Sequence, residues 1–258
     1  MRFLFSLLFM FAMQLPAFAE DRELAELFRQ RGVEGTMVIR SQETKKSFVH
    51  NDRRANHRIS PASTFKICNT LIALEEKAVT AENSLLKWDG TRYDFPDWNR
   101  DQTLESAFRV SCVWYYREIA RRVGAVKYRR YLDEAGYGRL REPFDTTAFW
   151  LDGSLVVSPF GQAEFLEKVY RRKLPFSISS YEKLADIMIN EKGPGYTIRA
   201  KTGWAVRMEP QIGWFVGYVE TAGDVWFFAM NIDIRTEADL PLRKELVLEA
   251  LKIKDIIK

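Results

Sequence analysis

Ser63 and Lys66 stand three residues apart, followed by Ile67, Cys68, Leu71, Ile72 and Leu74. On a helix that spacing puts both side chains on one face, within reach of each other. A hydroxyl beside an amine is the pairing a nucleophile and its base require. Pro61 is read as closing an extended approach, which leaves Ser63 near a helix N-terminus where free N–H groups can stabilise an oxyanion. The spacing alone is unspecific, since Ser84/Lys87 and Ser180/Lys183 repeat it. The stretch Ser179-Ser180-Tyr181-Glu182 reads better as a helix N-cap with its capping-box glutamate. Two further groups give Ser63/Lys66 company: Ser111-Cys112-Val113 in a helical region, and Lys201-Thr202-Gly203, then Trp204, at the end of a strand-like run. Each alone also fits a bland role, as a loop serine with a core valine or a strand end with its turn. A histidine-based triad is disfavoured, because His50 and His57 lie in a polar stretch shortly before Ser63. With no CxxC and only those two histidines, no metal ligand set is assigned.

The elements that must position these groups follow from periodicity. Leu24, Leu27 and Phe28 share one face from Glu23 to Gln30, with Gly32 as the C-terminal stop. Segments 36–40 and 46–50 alternate like paired strands. From Ser63 to about Ile189 the pattern is mainly helical, broken by loops rich in Trp, Asp, Gly and Pro. Strand character returns over 196–202, 212–220 and 225–234, the last two joined by a turn at 221–224. Leu242, Leu246 and Leu251 mark a closing amphipathic helix over 240–254. Strands at both ends therefore bracket a helical middle. The expected fold is α+β: one antiparallel sheet from distant segments, flanked by terminal helices, with an inserted helical lobe at roughly 63–190. A site should lie in the cleft between lobes.

Composition sets the setting. Hydrophobic residues at 47% and charged residues at 29% belong to an ordinary globular chain rather than a disordered one. Arg2, the apolar run from Phe3 to Met13, and Ala17-Phe18-Ala19 form a secretory leader cleaved after Ala19. The run is shorter than the ~20 residues of a membrane span, and no cysteine follows it to make a lipoprotein. Residues 20–258 then form a single exported domain without stable membrane association. In an oxidising compartment Cys68 and Cys112 either pair or remain buried thiols. The basic cluster Arg117, Arg121, Arg122, Lys127, Arg129 and Arg130 is interleaved by Ile119, Ala120 and Val123 at helical spacing. It reads as a solvated helix face, not a nucleic-acid surface.

In this order and these contexts, Ser-x-x-Lys, Ser-x-Val and Lys-Thr-Gly resemble the motif set of serine β-lactamases and penicillin-binding proteins. Over nearly the whole mature length the chain resembles class D (oxacillinase-type) β-lactamases. The resemblance rests on Pro61-Ala62-Ser63-Thr64-Phe65-Lys66, Ser111-Cys112-Val113, Phe149-Trp150-Leu151-Asp152-Gly153, Lys201-Thr202-Gly203 and Leu240-Pro241-Leu242-Arg243. One departure is Tyr137-Gly138-Arg139, where that family usually carries Tyr-Gly-Asn; Arg139 receives no catalytic role. The leader implies a periplasmic location; the resemblance implies a β-lactam substrate and Ser63 as acylated nucleophile. It implies Lys66 as an N-carboxylated general base supplied by CO2 or bicarbonate, with no separate cofactor. Trp150 would hydrogen-bond the carbamate, with Val113 and Leu151 as apolar neighbours. Ser111 and Lys201 would relay the proton, the N–H groups of Ser63 and Trp204 would hold the oxyanion, and Thr202, Gly203 and Arg243 would bind substrate, with Arg207 a weaker candidate. A homodimer is compatible with this reading. The alternatives are a penicillin-binding protein and a β-lactam sensor that is acylated without turnover.

Overall fold

The structure, a computed structural model, describes residues 19–258; the leader assigned to 1–19 lies, apart from Ala19, outside the described residues. Helix α1 (Arg22–Arg31) is capped by Asp21, whose carboxylate accepts from Leu24 N, and ends at Gly32 in the left-handed region. Strands β1 (Gly35–Ser41) and β2 (Ser47–His50) and a short helix α2 (Asp52–Asn56) follow. A 3-10 turn, Ala62–Phe65, runs directly into α3 (Lys66–Glu75). The helical middle continues through α4 (Leu104–Arg109), α5 (Val113–Val123) and α6 (Ala125–Ala135). A two-residue ribbon, β3 (Arg139–Leu140) with β4 (Leu155–Val156), precedes α7 (Pro159–Tyr170) and α8 (Ile178–Ile187). Strands β5 (Ile189–Gly193), β6 (Tyr196–Ala205), β7 (Gln211–Thr221) and β8 (Val225–Ile234) return to the sheet, and α9 (Leu242–Ile253) closes the chain.

The main sheet has the order β2-β1-β8-β7-β6-β5, every neighbour antiparallel. Its central strands are buried on both faces, so the period of two divides their apolar residues between two cores. Ile212, Trp214, Val216 and Tyr218 of β7 face the helical lobe, while Phe215 and Val219 face the terminal helices. On that second face Leu24 and Phe28 of α1 meet Leu246, Val247 and Leu251 of α9, all fully or almost fully buried. Each such side chain contributes about 1.5–3 kcal/mol by leaving water. Lys254 fastens the two terminal helices to each other through Asp21 at 2.7 Å.

Three local expectations change. Pro61 is helical rather than extended (φ −69°, ψ −20°), so the chain bends before Ser63, not after an extended segment. Helix α8 is capped by Ser177, which accepts from Ser180 N, and not by Ser179 with Glu182. Lys201-Thr202-Gly203 lies inside β6, which runs on to Ala205. Cys68 and Cys112 are both buried and both free. Among the described residues no helix is long and apolar enough to cross a membrane. The basic cluster is a helix face laced with ion pairs: Glu118 meets Arg121 and Arg122, Glu76 meets Lys127 and Arg130, and Glu142 meets Arg129.

Candidate active site

The 3-10 turn brings Ser63 up against β6. Ala62 is held at φ 46°, a left-handed conformation that costs an L-residue about 1–2 kcal/mol. That strain is sustained by what surrounds the turn. Thr64 Oγ1 donates to Pro61 O at 2.7 Å, and Gln162 Nε2 of α7 donates to Thr64 Oγ1 at 2.7 Å. The Tyr137 hydroxyl in turn donates to Gln162 Oε1 at 3.2 Å, all of it buried. On the other side Gly203 lets the strand approach. A Cβ there would stand 3.0 Å from both Pro61 O and Thr64 Cγ2.

Lys66 Nζ donates to Ser63 Oγ at 3.0 Å, the contact the spacing predicts. Its amine is wholly buried, 4.9 Å from the centre of the Tyr116 ring. Burial brings its pKa down to about 7. Burial also pushes the Cys112 thiol up to about 11, so it stays protonated near neutrality. Opposite, Lys201 Nζ donates to Ser111 Oγ at 2.6 Å and to Thr202 O at 3.1 Å. Lys201 is driven well below the usual lysine range, first by burial and then by the positive charges of Lys66 and Arg243. Ser111 itself sits at φ 56°, a bend between α4 and α5 that presents its hydroxyl to Lys201.

Ser63, Ser111, Val113, Leu151, Thr202, Gly203, Trp204 and Arg243 line one cleft of about 460 Å3. Arg243 Nη1 donates to Gly203 O at 2.8 Å and Nε to Leu240 O at 2.7 Å, which fixes the guanidinium plane at the cleft wall. Gly213 makes room for it, since a Cβ there would come within 2.7 Å of Arg243 Cδ. Burial lowers the Arg243 pKa to about 10, so it remains a cation at neutral pH. Trp150 does not line the cleft; it is buried and stacked on Phe65 with ring centres 5.9 Å apart. Its indole Nε1 is a buried donor with no partner. Arg207 is exposed at the rim. Arg139 lies elsewhere, in a separate basic cleft with Arg58 and Arg141.

Comparison with known proteins meets this geometry from outside. Residues 34–252 match the penicillin binding protein transpeptidase domain. β-Lactamase OXA-48 of Klebsiella pneumoniae is 40% identical over 247 residues, covering 94% of this chain and 93% of the relative. β-Lactamase OXA-2 of Salmonella typhimurium is 38% identical, covering 90% and 84%. Among solved structures, FUS-1 (OXA-85), a class D β-lactamase from Fusobacterium nucleatum subsp. polymorphum, superposes with a TM-score of 0.90 at 36% identity. That match covers 93% of this chain and all of the other. The chain belongs to the class D β-lactamases.

As a class D β-lactamase it is a hydrolase acting on β-lactams. Of the twelve residues named from the sequence for the site of this β-lactamase, nine line the cleft, Lys66 and Lys201 bond directly to Ser63 and Ser111, and Trp150 alone is outside the lining. Sequence reasoning missed the buried Thr64–Gln162–Tyr137 chain, whose members are far apart in sequence and carry no shared spacing. It also missed Tyr93, Phe95, Trp98, Trp114 and Arg117, which line the same cleft. For Arg117 a signal existed: it follows Val113 by one helical turn.

Proposed function

We propose that the chain hydrolyses penicillin-type β-lactams through an acyl-enzyme on Ser63, with Lys66 carboxylated by CO2 as the general base. The observation that carries this is the Lys66 Nζ–Ser63 Oγ contact of 3.0 Å at an amine whose pKa lies near 7. An amine that is partly neutral at pH 7 can add CO2, whereas an ammonium cannot. The surroundings fit the group: the buried Trp150 N–H lacks an acceptor, which a carbamate oxygen would supply. When present, the carbamate provides a negatively charged base beside Ser63 for both proton transfers.

The chain's own residues do the rest. Ser63 Oγ attacks the lactam carbonyl carbon and the ring C–N bond breaks. The N–H groups of Ser63, at the start of its turn, and of Trp204, on β6, are the donors assigned to the developing oxyanion. Lys201, whose amine burial holds well below the usual lysine range, passes a proton through Ser111 Oγ at 2.6 Å to the departing nitrogen. Thr202 and Arg243 hold the carboxylate of the substrate, the planar guanidinium by paired N–H donors. Val113, Leu151 and Gly203 shape the apolar wall. The leader-like first 19 residues support a periplasmic location.

Two measurements test this. After exposure to penicillin, intact-mass spectrometry should find an adduct on the wild type and none on Ser63→Ala; an adduct on the variant removes Ser63 as nucleophile. A chromogenic cephalosporin should be turned over steadily. A single stoichiometric burst would favour an acylated receptor or transpeptidase, the reading that the transpeptidase-domain match keeps open.

A further inference from the structure

Arg117 has no part in the chemistry above, yet it stands in the same cleft as Ser63. Its guanidinium is half-buried, and Nε is shielded from solvent with no hydrogen-bond partner. The other members of its basic cluster are all paired with Glu76, Glu118 or Glu142, whereas Arg117 has no ion pair among the described residues. The adjacent Glu118 is engaged by Arg121 at 3.2 Å and Arg122 at 3.0 Å. Asp145, which feels the charge of Arg117 only weakly, accepts instead from Thr147 N at 2.8 Å and Thr147 Oγ1 at 2.9 Å. A shielded cationic donor without a partner is costly, and an anion arriving in the cleft would relieve that cost.

The surface beside Arg117 is aromatic. Trp114 Nε1 donates to Trp98 O at 2.8 Å, and Trp98 Nε1 donates to Val110 O at 2.9 Å. Both indole N–H groups are thus satisfied internally, so the rings are fixed and offer their apolar carbon surface. Arg243 and Thr202 belong to the sheet side of the cleft, while Trp98, Trp114 and Arg117 belong to the helical side. In a bicyclic β-lactam the ring carboxylate and the acylamino arm project from opposite ends. With the carboxylate at Arg243, the arm runs toward the aromatic wall and Arg117.

We propose that Arg117 is a second anion receptor, selecting β-lactams whose aryl acyl arm carries its own carboxylate or sulfonate. This rests on the reading of Ser63 and Arg243 given above. Such a substrate would be gripped at both ends, by Arg243 through the ring carboxylate and by Arg117 through the arm. The contact exists before and after the transition state, so it acts mainly through KM.

The test compares two penicillins with the same aryl arm, one bearing an α-carboxylate and one neutral, as the ratio of their kcat/KM values. In Arg117→Gln that ratio should fall about three- to fivefold, the scale of one partly solvated ion pair. Arg117→Lys should keep most of the ratio, and Arg117→Glu should lower it further. Using a ratio removes any general loss of folded or active enzyme. Equilibrium binding of both penicillins to Ser63→Ala, with and without Arg117→Gln, repeats the comparison where no acylation occurs. An unchanged ratio in both assays overturns the role of Arg117. A ratio that moves in Arg207→Gln but not in Arg117→Gln places the contact at the sheet rim and overturns it equally. Failure of the wild type to turn over the neutral penicillin would count against the acyl-enzyme reading, while the binding ratio would still decide Arg117.

Discussion

A lysine ordinarily keeps its proton to about pH 10.4, yet burial brings Lys66 down to about 7. The sign of the consequence follows directly. Above pH 7 the neutral amine predominates; below it the ammonium forms and cannot add CO2. Activity in degassed buffer should therefore fall at mildly acidic pH, and added bicarbonate should restore it by mass action. Trp150→Ala removes the unpartnered indole donor and opens the space to water, so more bicarbonate should be needed for the same rate. The measurement is initial rate against bicarbonate at fixed pH and ionic strength, for wild type and variant, alongside labelled-CO2 NMR. A flat response with no carbamate signal would leave Lys66 an unmodified amine base. These residues were legible because their types are rare in such company: a lysine amid apolar residues announces a task. Arg117 was hidden by the opposite circumstance, a cation among five others that differ only in being paired.

The elements were legible in proportion to how much of their structure is written in side chains. β7 and β8 announce themselves because both faces are buried, and α1 and α9 because one face is. β5, with the sequence INEKG, was not read as a strand: it falls between the helical region ending near Ile189 and the strand run beginning at 196. It is an exposed edge strand that joins β6 through backbone hydrogen bonds, which leave no apolar trace. The 3-10 turn at Ser63 was read as an α-helix start because its distinguishing contacts come from elsewhere: Gln162 on α7, Tyr137 beyond α6, and Gly203 on β6. That dependence is testable. Gln162→Ala removes the donor to Thr64 Oγ1 and the Gln162 acceptor of the buried Tyr137 hydroxyl. Stability should fall by about 1–3 kcal/mol. Because the turn carries Ser63, acylation should slow more than the loss of folded protein accounts for. Denaturant unfolding together with single-turnover acylation would separate the two. A stability loss with an unchanged acylation rate would show that the strained turn holds its shape without α7.

Across the whole molecule, the cleft gathers basic groups that the fold does not pair with acidic ones. Lys66, Lys201, Arg243 and Arg117 converge on it from α3, β6, α9 and α5, and none of the four forms an ion pair among the described residues. A site built to receive an anion is thus assembled at the expense of stability. Lys66 gives the cleanest measure of that conflict. Its amine is depressed to about 7 in the folded protein and titrates at about 10.4 when unfolded. Between those values the unfolded chain binds the extra proton, so stability rises with pH across the interval. The destabilisation is fully present below pH 7 and absent above about 10.4. Lys66→Met replaces the amine by an apolar chain of similar length. In CO2-free buffer it should stabilise the protein by a few kcal/mol, roughly 5 at most from the shift alone, at pH 7 and below. For a chain of this size each kcal/mol is a rise of roughly 2–4 °C in Tm. Loss of the Lys66 charge also relieves Lys201, one of whose neighbours it is. The gain should shrink steadily as pH is raised toward 10, while activity is abolished throughout. Thermal unfolding of wild type and variant across that pH range is the check. A difference in Tm that does not vary with pH would mean that Lys66 keeps an ordinary pKa in the fold, and with it the ground for a neutral amine beside Ser63 would go.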